Sequence, residues 1–161
     1  MKAFRMIQTV FVAATLVGAV THPGAGKDLP ALRLNVDKMQ VMVHGYDVVS
    51  YFVNQRAEKG VESFEYRWQG AKWRFASAEH LALFQQTPER FAPQYGGFCA
   101  WAVSRGATAD IDPEAWTIAN DRLFLNYSKA VQKQWLVDRD GNIAKADANW
   151  PALSRAGASS R

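Results

Sequence analysis

Phe64-Glu65-Tyr66-Arg67-Trp68 alternates apolar and polar residues, Gln69-Gly70-Ala71-Lys72 supplies turn formers, and Trp73-Arg74-Phe75 alternates again. Side chains along a strand point to opposite faces in turn, so this pattern predicts a β-hairpin with its aromatic residues on one face. Ser77 follows, where its hydroxyl can cap a helix whose Leu81, Leu83 and Phe84 face the core. A similar order returns about fifty residues later. Trp116-Thr117-Ile118 and Leu123-Phe124-Leu125-Asn126-Tyr127 flank the turn Ala119-Asn120-Asp121-Arg122, and Ser128 caps a second amphipathic helix through Val131 and Trp135. Ser77 corresponds to Ser128 and Phe84 to Trp135. The spacing leaves open whether this is an internal repeat or two common units. Either way the fold class is α+β: small antiparallel β-hairpins, each followed by a short helix, packed around an aromatic core.

Other boundaries are local. Asp47 is a good N-cap for residues 48–52, and Thr87-Pro88-Glu89 reads as N-cap, first helical residue and acidic first turn of a short helix that Pro93 ends. Residues 105–113 read as a polar turn. Asp140-Gly141-Asn142 reads as a turn before a last short segment through Trp150-Pro151. Residues 26–42 form a lead-in and residues 154–161 a disordered tail.

Residues 1–25 have the layout of a secretory signal peptide: Lys2 and Arg5 at the start, an apolar run over residues 6–20, then small residues. The run is too short for an ordinary membrane span, so the mature chain is expected to be periplasmic or secreted, without a span. Removing the segment takes away Lys2 and Arg5 and no acid, so the formal charge falls from +4 to +2. The remaining basic residues are scattered, which argues against nucleic acid as a partner.

Export implies an oxidising compartment, yet the chain has one cysteine and so no internal disulfide. Cys99 lies in Gln94-Tyr95-Gly96-Gly97-Phe98-Cys99-Ala100-Trp101-Ala102-Val103-Ser104. Gly96-Gly97 lets the chain turn sharply, and the run after it fits a short buried helix or, almost as well, a buried strand; on the helix reading Cys99 sits in the first turn, where free N–H groups favour a thiolate. A buried, inert cysteine is the plainer reading. The functional reading places Cys99 at the accessible edge of an aromatic pocket with His44 or Tyr46 near it. His44 would orient or deprotonate the thiol, or join it as a ligand for a soft metal. The structural reading has His44 holding its own turn and Tyr46 packing. His80, in the first turn of its helix, is expected to be exposed. The six tryptophans could line a ligand groove, although the hairpin alternation assigns most of them to the core. No hydrolase triad order, phosphate loop, His-Glu-x-x-His or Cys-x-x-Cys is present.

The string from Phe64 to Ser77, with Phe84 and Thr87-Pro88-Glu89-Arg90-Phe91, resembles the YHS domain. Residues 43–153 as a whole are similar to a bacterial family of exported YHS-domain proteins. The hallmarks are Gly45-Tyr46-Asp47, Tyr95-Gly96-Gly97-Phe98-Cys99-Ala100, Asp112-Pro113-Glu114-Ala115-Trp116-Thr117-Ile118, Leu125-Asn126-Tyr127-Ser128 and the stretch from Asn142 to Pro151. The resemblance implies a YHS-like core over residues 46–93, an extension over 94–153, and an association with copper and other soft metals. In metal-type members the ligands are cysteines; here the matching positions hold Ser50, Ala76 and His80. The exported family also resembles a group that includes selenoproteins; if their selenocysteine falls in the Gly-Gly-aromatic-Cys string, Cys99 takes its place. Two functions follow as expectations: a thiol-dependent redox protein acting through Cys99 with a redox partner, or a non-enzymatic module for copper, with Cys99 and His44 as ligands and a metal-delivery partner, or for protein interaction.

Overall fold

A computed structural model describes residues 33–155. The expected signal peptide, most of the expected lead-in and nearly all of the expected tail lie outside them; Ser154 closes the last helix with its N–H on Trp150 O. No helix among the described residues is long and apolar enough to cross a membrane.

The elements run α1 (Val48–Val53), β1 (Val61–Trp68), β2 (Ala71–Phe75), α2 (Ala78–Gln86), α3 (Pro88–Phe91), α4 (Ala100–Ser104), β3 (Asp112–Ala119), β4 (Arg122–Asn126), α5 (Lys129–Val137) and α6 (Arg139–Leu153). They form two separate antiparallel hairpins, β1–β2 and β3–β4, each followed by helices. The turns are tighter than the sequence suggests. Only Gln69-Gly70 and Asn120-Asp121 lie outside the strands, and all four have positive φ, the backbone of the two-residue turn that matches strand twist. Ser77 and Ser128 accept from the N–H groups of His80 and Val131, as capping residues should. Thr87 precedes α3 but makes no side-chain cap bond.

The two units are copies. The first hairpin pairs Val61 with Phe75, Glu65 with Arg74, Tyr66 with Trp73, Arg67 with Lys72 and Trp68 with Ala71. Adding 51 to each number gives the register of the second, Asp112 with Asn126 through Ala119 with Arg122, with the irregularity at the same step. The same offset carries α2 onto α5 and Thr87 (φ −146°, ψ 66°) onto Asp138 (φ −136°, ψ 62°). It also carries the contact of Trp73 with Phe84, 4.9 Å between ring centres, onto that of Phe124 with Trp135 at 5.3 Å. Upstream the spacing is one residue longer. Val43, His44 and Gly45 have φ of 50°, 52° and 80°; Tyr95, Gly96 and Gly97 have 56°, 58° and 79°.

The copies dock through β4. Leu123 and Leu125 point into the first repeat's core, with Tyr51, Trp73, Phe75 and Phe84, while Phe124 on the opposite face packs in the second core with Trp135. In β2 the matching positions are Lys72 and Arg74, which pair instead with Glu65 and Glu62. One repeat thus has a polar outer strand face and the other a buried apolar one, so two cores become one body by burying Leu123 and Leu125.

The last helix departs from the expected turn and short segment: α6 is continuous through Gly141, Asn142 and Pro151. Asp138 caps it by accepting from Gly141 N–H, and a Cβ at Gly141 would lie 2.3 Å from the Asp138 carboxylate. Gly141 is therefore the residue that lets the cap close. Asn142 is buried and donates to Trp135 O, and Asn149 donates to Val103 O. These tertiary bonds outweigh the weak helix propensities of glycine and asparagine.

Candidate functional site

Asp47 caps α1 and is fully buried. One carboxylate oxygen accepts from Val49 N–H at 2.9 Å and Ser50 N–H at 3.3 Å; the other accepts from Ala76 N–H at 2.8 Å and His80 Nδ1 at 2.6 Å. The three positions at which the YHS resemblance expects metal-holding cysteines therefore all bond to one carboxylate. His80 is buried, not exposed. Its position three residues beyond the Ser77 cap turns the ring inward toward Asp47, an acceptor the helix pattern does not reveal. Ser50 Oγ, Asn54 and Arg56 all donate to Glu58, holding its carboxyl down to about 2 through the Ser50 hydroxyl first, then Asn54 and Arg56.

Cys99 stands in the second repeat where Asp47 stands in the first. It is the N-cap of α4, one residue before the helical turn rather than inside it. Its N–H donates to Ala109 O, as Asp47 N–H donates to Glu58 O in the first repeat. Its Sγ accepts from Tyr127 N–H at 3.3 Å, matching the bond from Ala76 N–H to Asp47. Asp47's other task, accepting from Val49 N–H, passes to Asn126, whose Oδ1 accepts from Trp101 N–H at 3.3 Å; the Cys99 thiol donates to that oxygen at 3.8 Å. A carboxylate's work is divided between a thiol and an amide. Asn126 is fully buried and its Nδ2 has no partner. Its sequence signal is an amide ending the apolar run Leu123-Phe124-Leu125, since a buried amide needs a hydrogen-bonding role.

Cys99 is 1% exposed, in contrast to the accessible edge expected for it. Phe75, Leu123 and Leu125 belong to the same core cluster. His44 is not its hydrogen-bond partner. The imidazole Nε2 lies 2.9 Å from Asp110 Oδ1, which also accepts from Asn35 and from its neighbour Ile111 N–H. Burial opposes ionisation of Asp110, but the bonds from Asn35, Ile111 N–H and His44 prevail and hold its carboxyl below the ordinary range. Tyr46 is half-buried, packs against the first core and lies under Lys59 Nζ at 5.6 Å. Neither His44 nor Tyr46 makes a hydrogen bond to Cys99. Among the described residues no group of three or more His, Cys, Asp or Glu is gathered as a metal site.

A cleft of about 350 Å³ opens where the repeats meet α6. Trp68 and Trp73 line it from the first hairpin, Tyr95 from the Gly-Gly stretch and Trp150 from α6. Arg122 binds Asp147 through both terminal nitrogens, at 3.1 and 2.6 Å, and Gln94 through Nε at 2.9 Å. Tyr95 OH donates to Asp147 at 2.8 Å. Hydrogen bonding to Arg122 holds the Asp147 carboxyl below its ordinary range against burial, while burial and Asp147 push the Tyr95 phenol well above its own. Gly96, with φ of 58°, lies at the rim, and a Cβ there would meet Arg33 O at 2.3 Å and the Trp150 ring at 3.2 Å. The Gly-Gly stretch is thus needed for the close approach of residue 33 and α6.

Compared with known protein families, curated proteins and solved structures, the chain finds no match.

Proposed function

We propose that this chain is an exported, non-enzymatic binding module whose binding site is the aromatic cleft between its repeats, with Cys99 as part of the framework. The observation that carries this reading is the equivalence of Cys99 with Asp47: each stands at the N-cap position of a short helix and accepts the backbone N–H at the strand-to-helix corner that follows β2 or β4. A thiol that is fully enclosed and bonded to backbone has no room for an oxidant or a second thiol. The copper reading needs Cys99 and His44 to turn toward one ion, whereas His44 is engaged with Asp110. The cleft, in contrast, has the attributes of a small-ligand site: it sits at the junction of two units and is lined by aromatic rings with a few fixed polar groups. The likeness to exported YHS-domain proteins supports the placement outside the cytoplasm and a role in binding.

Protein-observed NMR with a library of small soluble aromatic, amine and acid fragments tests this. Shifts concentrated at the indoles of Trp68 and Trp150 are expected. Shifts centred on Cys99 with a covalent mass increase, or no fragment in the cleft, would overturn it.

A further inference from the structure

We propose that the cleft takes an organic cation, a quaternary or protonated amine small enough for about 350 Å³; this rests on the cleft being the binding site. The charged side chains lining it are Glu89, Arg122 and Asp147. Arg122 is already neutralised, with both terminal nitrogens on Asp147 and Nε on Gln94. An incoming anion would have to break that pair. Glu89 is exposed and has no ion-pair partner among the described residues, so the wall carries one uncompensated negative charge. The half-buried indoles of Trp68 and Trp150 also line the cleft, and an indole face attracts cations and repels anions. Trp68 is braced by Trp73 and Phe84, at 5.5 and 5.7 Å between ring centres, and Trp150 by Tyr95 at 6.0 Å. Tyr95 is itself tied to Asp147, which holds its ring in place. Rigid rings and a carboxylate are what recognition of an alkylammonium head requires, and no directional donor is needed.

The test compares three probes of one shape by NMR and tryptophan fluorescence: (2-hydroxyethyl)trimethylammonium, the neutral 3,3-dimethyl-1-butanol and the anionic 3,3-dimethylbutyrate. The cation is expected to bind about tenfold more tightly than the neutral probe. Glu89→Gln, at an exposed position that leaves the core intact, should erase several-fold of that preference. Trp150→Ala should weaken the cation at least tenfold, judged only where the variant's melt matches wild type. Equal binding of cation and neutral probe, preference for the anion, or indifference to Glu89→Gln would overturn the cation assignment while leaving the cleft reading intact. Failure of the probes and of every library fragment to reach the cleft would overturn both. Co-sedimentation with phosphatidylcholine against phosphatidylglycerol vesicles then separates the source. Selective capture by phosphatidylcholine, lost in Glu89→Gln, supports a lipid headgroup; no capture alongside cation binding supports a free solute.

Discussion

Asp47 and Cys99 occupy the same place in two copies of one unit, each at the N-cap position of a short helix and each accepting the first N–H beyond its hairpin, Ala76 or Tyr127. The carboxylate does this with four bonds, and the thiol shares the work with Asn126. The enclosed thiol thus takes part in the packing and hydrogen bonding of its corner.

Cys99 in the folded protein should therefore resist alkylation, and the rate should follow unfolding. Labelling by a chromogenic disulfide reagent, with and without denaturant, checks this. Rapid labelling without denaturant would return the thiol to the list of active groups. Cys99→Ser, which keeps a small acceptor, should be tolerated better than Cys99→Leu, which overpacks a full core by about 1–3 kcal/mol.

Ser77→Ala and Ser128→Ala should each cost about 1 kcal/mol in a denaturant melt, because each removes an observed cap bond. The two sites lie in different repeats, so their effects should add in the double variant. A Thr87→Ala change, where no side-chain cap bond exists, should be smaller.

Leu125→Arg copies into the second repeat the residue found at the matching place in the first, Arg74. At Arg74 the charge meets Glu62 and Glu65; at Leu125 it would enter the first core, which is apolar. A loss of about 4 kcal/mol or more is expected, enough to threaten folding. The reciprocal Arg74→Leu should cost far less, since a half-buried ion pair near solvent contributes only about 1 kcal/mol.

Glu58 gives a pH signature. Its folded carboxyl lies near 2 against an ordinary value of 4.5. Its contribution is fully present above the ordinary value and is lost as the pH falls from there through about 2. Stability should therefore rise with pH over that interval, and Glu58→Gln should flatten the rise. An unchanged slope would mean that the Ser50, Asn54 and Arg56 bonds do not persist in solution.

The sequence by itself determined what is local. Alternation wrote both hairpins, the serines placed the starts of α2 and α5, and Asp47 marked α1, because strand periodicity and capping are decided by a few neighbouring residues. The correspondence of Ser77 with Ser128 and Phe84 with Trp135 was visible as well. What decided the repeat was the backbone: Val43-His44-Gly45-Tyr46-Asp47 and Tyr95-Gly96-Gly97-Phe98-Cys99 share positive-φ turns while sharing little side-chain chemistry. Tertiary packing alone turned His80 inward to Asp47, enclosed Cys99, drew α6 through Gly141 and Pro151, and opened the cleft beside Arg122 and Asp147. Each of these depends on residues distant in the chain meeting a buried hydrogen-bond requirement or filling a shared core, and neither condition is written in the pattern of any one segment.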